Sequence, residues 1–147
     1  MIDQFLHFLE RNSWLLYSVM VLFTLVTLGL TLSPTEKLGD SALYQYDKLG
    51  HALLFGTWTL LLGLILLISD SSHLSLLAIF IAGSLFGITV EILQEVLPVD
   101  RNMDLYDAVA DIAGCLVAVG ILKLITSYSS YGWESTEQMP SDNRLSK

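Results

Sequence analysis

Charge is scarce in this chain. Of its 147 residues 15 % are Asp, Glu, Lys or Arg, and 7 basic residues stand against 15 acidic ones. The net charge of −8 argues against a nucleic-acid partner and against a polybasic anchor on an anionic lipid surface, since both need clustered Lys and Arg. Cysteine is nearly absent. Cys115 alone rules out an intramolecular disulfide, and its place in an apolar stretch suits a small packing residue. Proline occurs only at Pro34, Pro98 and Pro140, so the stretches between are free to continue as helices. A cleavable leader is not expected. Asp3 and Glu10 face Arg11 before the first apolar run, which is too long and lacks a small-x-small site. No internal repeat is evident.

Apolar length is what the chain has. It is 53 % hydrophobic with a mean hydropathy of +0.60. Four uncharged or nearly uncharged runs stand out at 14–32, 49–68, 74–93 and 105–126, each close to the ~20 residues a helix needs to cross the hydrocarbon core. The expected fold is all-α: a four-span transmembrane helix bundle over 1–126, with a flexible polar tail at 127–147. Ile2, Phe5, Leu6 and Leu9 recur at helical spacing ahead of the first span, which predicts a short helix lying at the interface, with His7 solvated. Ser33-Pro34-Thr35 ends the first span and Pro98 the third. The segment 35–46 reads as a polar re-entry loop, and 69–73 as a tight hydroxyl-rich hairpin. After Ser127 the chain turns to Ser, Tyr, Glu, Gln, Asn and Lys with one proline, and this tail buries too little apolar area to order itself. Lys and Arg near the span ends divide about equally between the two faces, so the positive-inside rule assigns no orientation.

The few charges are sorted. An up-down order of four spans puts the end of the first, the start of the second, the end of the third and the start of the fourth on one face. That face receives Asp47, Lys48, His51, Glu91, Gln94, Glu95, Asp100, Arg101, Asp104, Asp107 and Asp111. The opposite connection offers Asp70 and His73. Ionisable groups inside apolar spans are costly and usually functional. Asp47 and His51 stand one turn apart, as do Glu91 and Gln94, while Asp104, Asp107 and Asp111 share one face of the fourth span. At a rise of ~1.5 Å per residue, Glu91 and Asp111 sit roughly 10 Å below their span ends, with His51 nearer the surface. The set predicts a one-sided polar pocket. Glu91 and Asp111 form its floor, Asp47, His51, Asp104 and Asp107 a middle ring, and Lys48, Arg101, Asp100 and Glu95 a rim. Gly83, Gly87, Gly114 and Ala118 lie on the same helix faces, which suits close backbone approach in lipid.

Seven carboxyl groups against Lys48 and Arg101 leave negative charge that must take up protons, share them or bind a metal ion. One reading has a divalent cation on His51, Glu91, Asp104 and Asp111. Another has acid–base work by Asp47, His51, Glu91 and Asp107. Arg101, Lys48 and Gln94 are then candidates for substrate binding, Arg101 as a bidentate clamp on a phosphate or carboxylate. Structural roles compete. Arg101 can pair Asp104 or Asp107, and Asp47 and Asp107 can serve as helix caps. Tyr44, Tyr46, Tyr106 and Trp58 fit an interfacial belt or packing. A conducting path is disfavoured, because no polar stripe continues to the other face.

Asp47-Lys48-x-x-His51-x-x-x-Phe55, Glu91-x-x-Gln94, Arg101-x-x-Asp104-x-x-Asp107 and Gly114 together resemble the VanZ-like membrane proteins in order and spacing. The resemblance runs from Asp47 to about Gly120. It implies a small multi-span protein of the bacterial cytoplasmic membrane, in a family linked to resistance to the glycopeptide teicoplanin. An envelope lipid or lipid-linked cell-wall component is the partner it suggests. One position departs. The family pattern commonly has Asn four residues after the second Asp of the Arg-Asp-Asp motif, where this chain has Asp111. The change adds a charge and favours a protonated or metal-bound carboxyl there. A non-enzymatic assembly protein with a structural polar network is the alternative.

Overall fold

A computed structural model describes residues 1–33, 47–69, 75–98 and 103–129. They form five helices: α1 (Ile2–Arg11), α2 (Ser13–Thr31), α3 (Asp47–Ile68), α4 (Leu76–Val96) and α5 (Leu105–Ser127), and no strand occurs among the described residues. Helices α2 to α5 are each long and apolar enough to cross a membrane. The described residues are thus all-helical with four candidate spans, as the hydropathy predicts, and the boundaries agree to within three residues. The expected loop at 35–46, Asp100, Arg101 and the tail beyond Ser129 lie outside the described residues.

The helix ends follow from local chemistry. Asn12 leaves helical geometry at φ −117°, ψ 34°, and its Nδ2 donates to the Phe8 carbonyl at 2.8 Å, separating α1 from α2. Ser75 caps α4 by accepting the Ala78 N–H at 3.2 Å. Asp104, in extended conformation, caps α5 by accepting the Tyr106 N–H at 2.8 Å. Inside the spans, Thr24, Thr31, Thr59 and Thr89 return their hydroxyl protons to carbonyls four residues back. Polar side chains are tolerated in an apolar segment this way.

The pair α3–α5 is the most extensively packed, with α4 against both and α2 against α3. Since α3 and α5 both start on the polar face, they run parallel. Their backbones nearly touch: a Cβ on Gly114 would collide with the Ala52 carbonyl oxygen, and one on Gly56 would stand 2.9 Å from the Gly114 carbonyl oxygen. On α4, Gly83 makes room for Thr59 and Cys115, and Gly87 for Asp111. Small residues at crossing points are what lets spans associate where lipid removes most of the hydrophobic drive.

Polarity is layered along the bundle. At the end bearing the N-terminus, Leu6, Leu16, Leu64, Ile65, Ile79 and Leu122 form an apolar core. Helix α1 does more than lie at an interface, because Leu6 is fully buried in that core. The first tail residues are held as well: Ser129 Oγ donates to Asp3 Oδ1 at 2.8 Å. A second apolar cluster of Phe55, Val90 and Cys115 fills the middle, with Cys115 fully buried as a packing residue. Above it sits the polar layer.

Candidate functional site

Parallel packing of α3 on α5 sets residues about 60 apart in sequence side by side. Four residues stack accordingly: Lys48 reaches Asp107, and His51 one turn deeper reaches Asp111. Lys48 Nζ donates to Asp107 Oδ1 at 2.8 Å and to Asp104 Oδ2 at 3.0 Å, and lies 5.5 Å from the centre of the Tyr106 ring. His51 Nδ1 stands 3.0 Å from Asp111 Oδ1 and 3.5 Å from Glu91 Oε1. Its Nε2 faces Asp107 Oδ2 at 3.9 Å. The imidazole lies over Phe55, ring centres 5.9 Å apart, so the middle apolar cluster is the floor under the histidine. His51 is 3 % exposed, and Glu91 and Asp111 are 0 %.

The deep floor therefore holds three groups. Glu91 and Asp111 lie where helical spacing puts them, but His51 belongs with them and not in a ring nearer the surface. Its Nδ1 turns inward to Asp111 and its ring packs on Phe55. Asp107 is buried above, tied to Lys48, and is not the helix cap; Asp104 takes that role. Asp104 accordingly departs from the expected ligand set. One oxygen accepts from Tyr106 and the other from Lys48, and these contacts hold its carboxyl below the usual carboxylate range. Lys48, expected as a substrate-binding charge, has its ammonium committed to two carboxylates. Gln94, also assigned to substrate, is buried and donates to the Thr31 carbonyl at 2.8 Å, which anchors α4 to the end of α2. Asp47 joins His51 and Asp107 in one group of close ligand-type atoms.

Two glutamates dock the loop before α5. Glu91 Oε2 accepts the Asp104 N–H at 3.2 Å, and Glu95 Oε2 accepts the Met103 N–H at 3.1 Å. Glu95 is exposed, as a rim residue should be, but it positions backbone as well. Among the described residues four buried side-chain oxygens lack a hydrogen-bond partner: the hydroxyls of Thr27 and Ser84, and two carboxylate oxygens of this cluster, Glu91 Oε1 and Asp111 Oδ2. Among the described residues, two groups bring one His and two carboxylates within 4.8 Å, namely Asp47–His51–Asp107 and His51–Glu91–Asp111.

Some contributors are not singled out by motif spacing. Thr31 receives Gln94, and Thr24 Oγ1 accepts the Trp58 Nε1–H at 2.9 Å, so Trp58 crosslinks α2 and α3 and stacks on Phe86 with 4.4 Å between ring centres. Gly56 and Gly63 line the α5 contact. With Ala52 and Thr59 they recur at steps of four, three and four along α3, and this small-residue stripe is visible in the sequence.

Fold and site together define a multi-pass helical membrane protein with a buried His–carboxylate centre near one end of its bundle. Comparison with protein-family models, with curated proteins and with solved structures finds no match for this chain.

Proposed function

We propose that the chain is a VanZ-like protein of the bacterial cytoplasmic membrane that binds an envelope lipid or lipid-linked cell-wall component at the His51 centre. The observation that carries this reading is the pair of buried, unpartnered oxygens, Glu91 Oε1 and Asp111 Oδ2, beside a buried imidazole. Thr27 and Ser84 also leave hydroxyl oxygens without a partner, but an orphaned buried polar atom costs about 1–3 kcal/mol and a carboxylate oxygen more, so two of them in one cluster are not expected of a network built only to hold helices together. Orphans beside a titratable group suit a centre that exchanges protons or accepts a ligand. Support also comes from the rim. Leu49, Leu53, Met103, Leu105 and Tyr106 are exposed at or near the starts of α3 and α5, with the Tyr106 ring beside Lys48, and apolar surface at that end suits acyl or isoprenyl chains. In this reading His51 and Glu91 exchange protons, Asp107 stands beside the far nitrogen of His51, and Lys48 adds positive charge for the anionic headgroup.

The structural alternative draws on specific contacts: Glu91, Glu95 and Asp104 all fix backbone N–H groups at the start of α5. Delipidated protein titrated with a long-chain isoprenyl phosphate, phosphatidylglycerol or phosphatidylcholine separates the two. The expected result is a saturable rise in melting temperature with the isoprenyl phosphate. His51→Ala and Glu91→Gln should abolish it while the ligand-free melting temperature stays near wild type. Loss of about 3–5 kcal/mol of stability in those variants would favour the structural network. No shift with any of the three lipids would sink the lipid reading.

A further inference from the structure

The Nδ1 side of His51 poses a charge problem. If the imidazole is neutral with its proton on Nε2, toward Asp107, the Nδ1 lone pair points at Asp111 Oδ1 and Glu91 Oε1, three electron-rich atoms in a dry layer. Either a proton, on Nδ1 or on a carboxyl, or a metal ion must then sit among them. Metal bonds of about 2.0–2.2 Å place two ligands about 2.8–3.1 Å apart at a right angle and about 3.3–3.6 Å apart at the tetrahedral angle. The observed separations from Nδ1 are 3.0 and 3.5 Å. We propose that His51 Nδ1, Glu91 Oε1 and Asp111 Oδ1 form a three-ligand site for a divalent first-row transition-metal ion of the zinc or manganese type. The inference rests on reading the His51 cluster as a functional centre.

Three further features fit. Two carboxylates and a neutral imidazole cancel the charge of a divalent ion, which a low-dielectric site requires. Glu91 is also steadied from behind, and His51 has a carboxylate near its far nitrogen. Glu91 Oε2 is fixed by the Asp104 N–H, and the far nitrogen of His51 faces Asp107, itself held by Lys48. Gly87 leaves the space that the Asp111 carboxylate occupies, since a Cβ there would stand 2.8 Å from Oδ2. The nitrogen donor selects against magnesium and calcium, which prefer oxygen-only sites. Three protein ligands leave a coordination position for water or a substrate oxygen, and the ion supplies positive charge for an anionic headgroup that Lys48, committed to two carboxylates, cannot give alone.

The test starts with wild-type full-length protein purified in detergent without chelator, analysed for metal, then stripped and titrated separately with Zn²⁺, Mn²⁺ and Mg²⁺. Near-stoichiometric Zn²⁺ or Mn²⁺, with Mg²⁺ at least about tenfold weaker, is expected. Asp107→Asn should weaken binding about 10–100-fold by loosening His51. Asp111→Asn and His51→Ala should abolish it, and stripped protein titrated with Co²⁺ should lose its visible absorption bands in the same variants. No saturable binding of Zn²⁺ or Mn²⁺ by the wild type overturns the proposal, whatever the variants do. If His51→Ala still abolishes the isoprenyl-phosphate shift in that case, the lipid reading stands without the metal. Metal binding without any lipid shift would leave the site standing and remove the lipid.

Discussion

At the scale of single residues, the layer nearest the surface is an ion-paired latch and the layer below is a centre. Asp104 belongs to the latch. The Tyr106 N–H and Lys48 hold its carboxyl below the usual range. A folded-state value below the unfolded one means that the contribution is present at neutral pH and is lost as pH falls through the folded value, in the acid region below about pH 4. Asp104→Asn keeps a capping oxygen but removes this titration. Melting temperature against pH should therefore fall less steeply on its acid limb than in wild type, and an unchanged acid limb would refute the assignment. The residue types here were legible: carboxylates and a histidine at helical spacing in apolar spans announce a site. Their division of labour was not. Which of Asp104 and Asp107 caps α5, and which meets Lys48, depends on how far α5 slides along α3, and no spacing within one helix encodes that.

At the scale of elements, glycine decides which helices touch. Gly114 meets the backbone of Ala52, so no rotamer change can relieve an added methyl there. Gly114→Ala should destabilise the bundle by about 1–3 kcal/mol or more, measured by unfolding in mixed detergent. Gly120 faces open space on the same helix. Gly120→Ala should be neutral or stabilising by up to about 1 kcal/mol, so the pair separates a packing effect from helix propensity. Gly83, Gly87 and Gly114 were readable as packing positions because they share faces with the carboxylates. Gly56 and Gly63 share no face with the carboxylates; with Ala52 and Thr59 they show as a small-residue stripe, and which helix lies on it is settled only by the α5 contact.

At the scale of the whole molecule, the bundle is apolar at one end and polar at the other. Leu6 closes the apolar end, far along the helices from His51. Leu6→Ala should cost about 2 kcal/mol or more by opening a cavity. Its lipid and metal affinities should equal those of wild type when measured well below the melting temperature. A parallel loss of affinity would mean that the site depends on the global packing of the bundle and not on its own layer.

Hydropathy by itself determined the number, length and order of the spans, because an apolar run of that size has no stable place except across lipid or inside a bundle. Alternation of the spans then sorted the charged residues to one face. Only the tertiary structure decided that α3 and α5 are packing partners, that His51 joins Glu91 and Asp111 in the deep layer, and that two of their oxygens lack hydrogen-bond partners. The physical reason is that in lipid the faces of a span are nearly equal in hydrophobicity. Choice of neighbour therefore falls to shape and to polar pairing between segments distant in sequence, and both exist only once the helices have met.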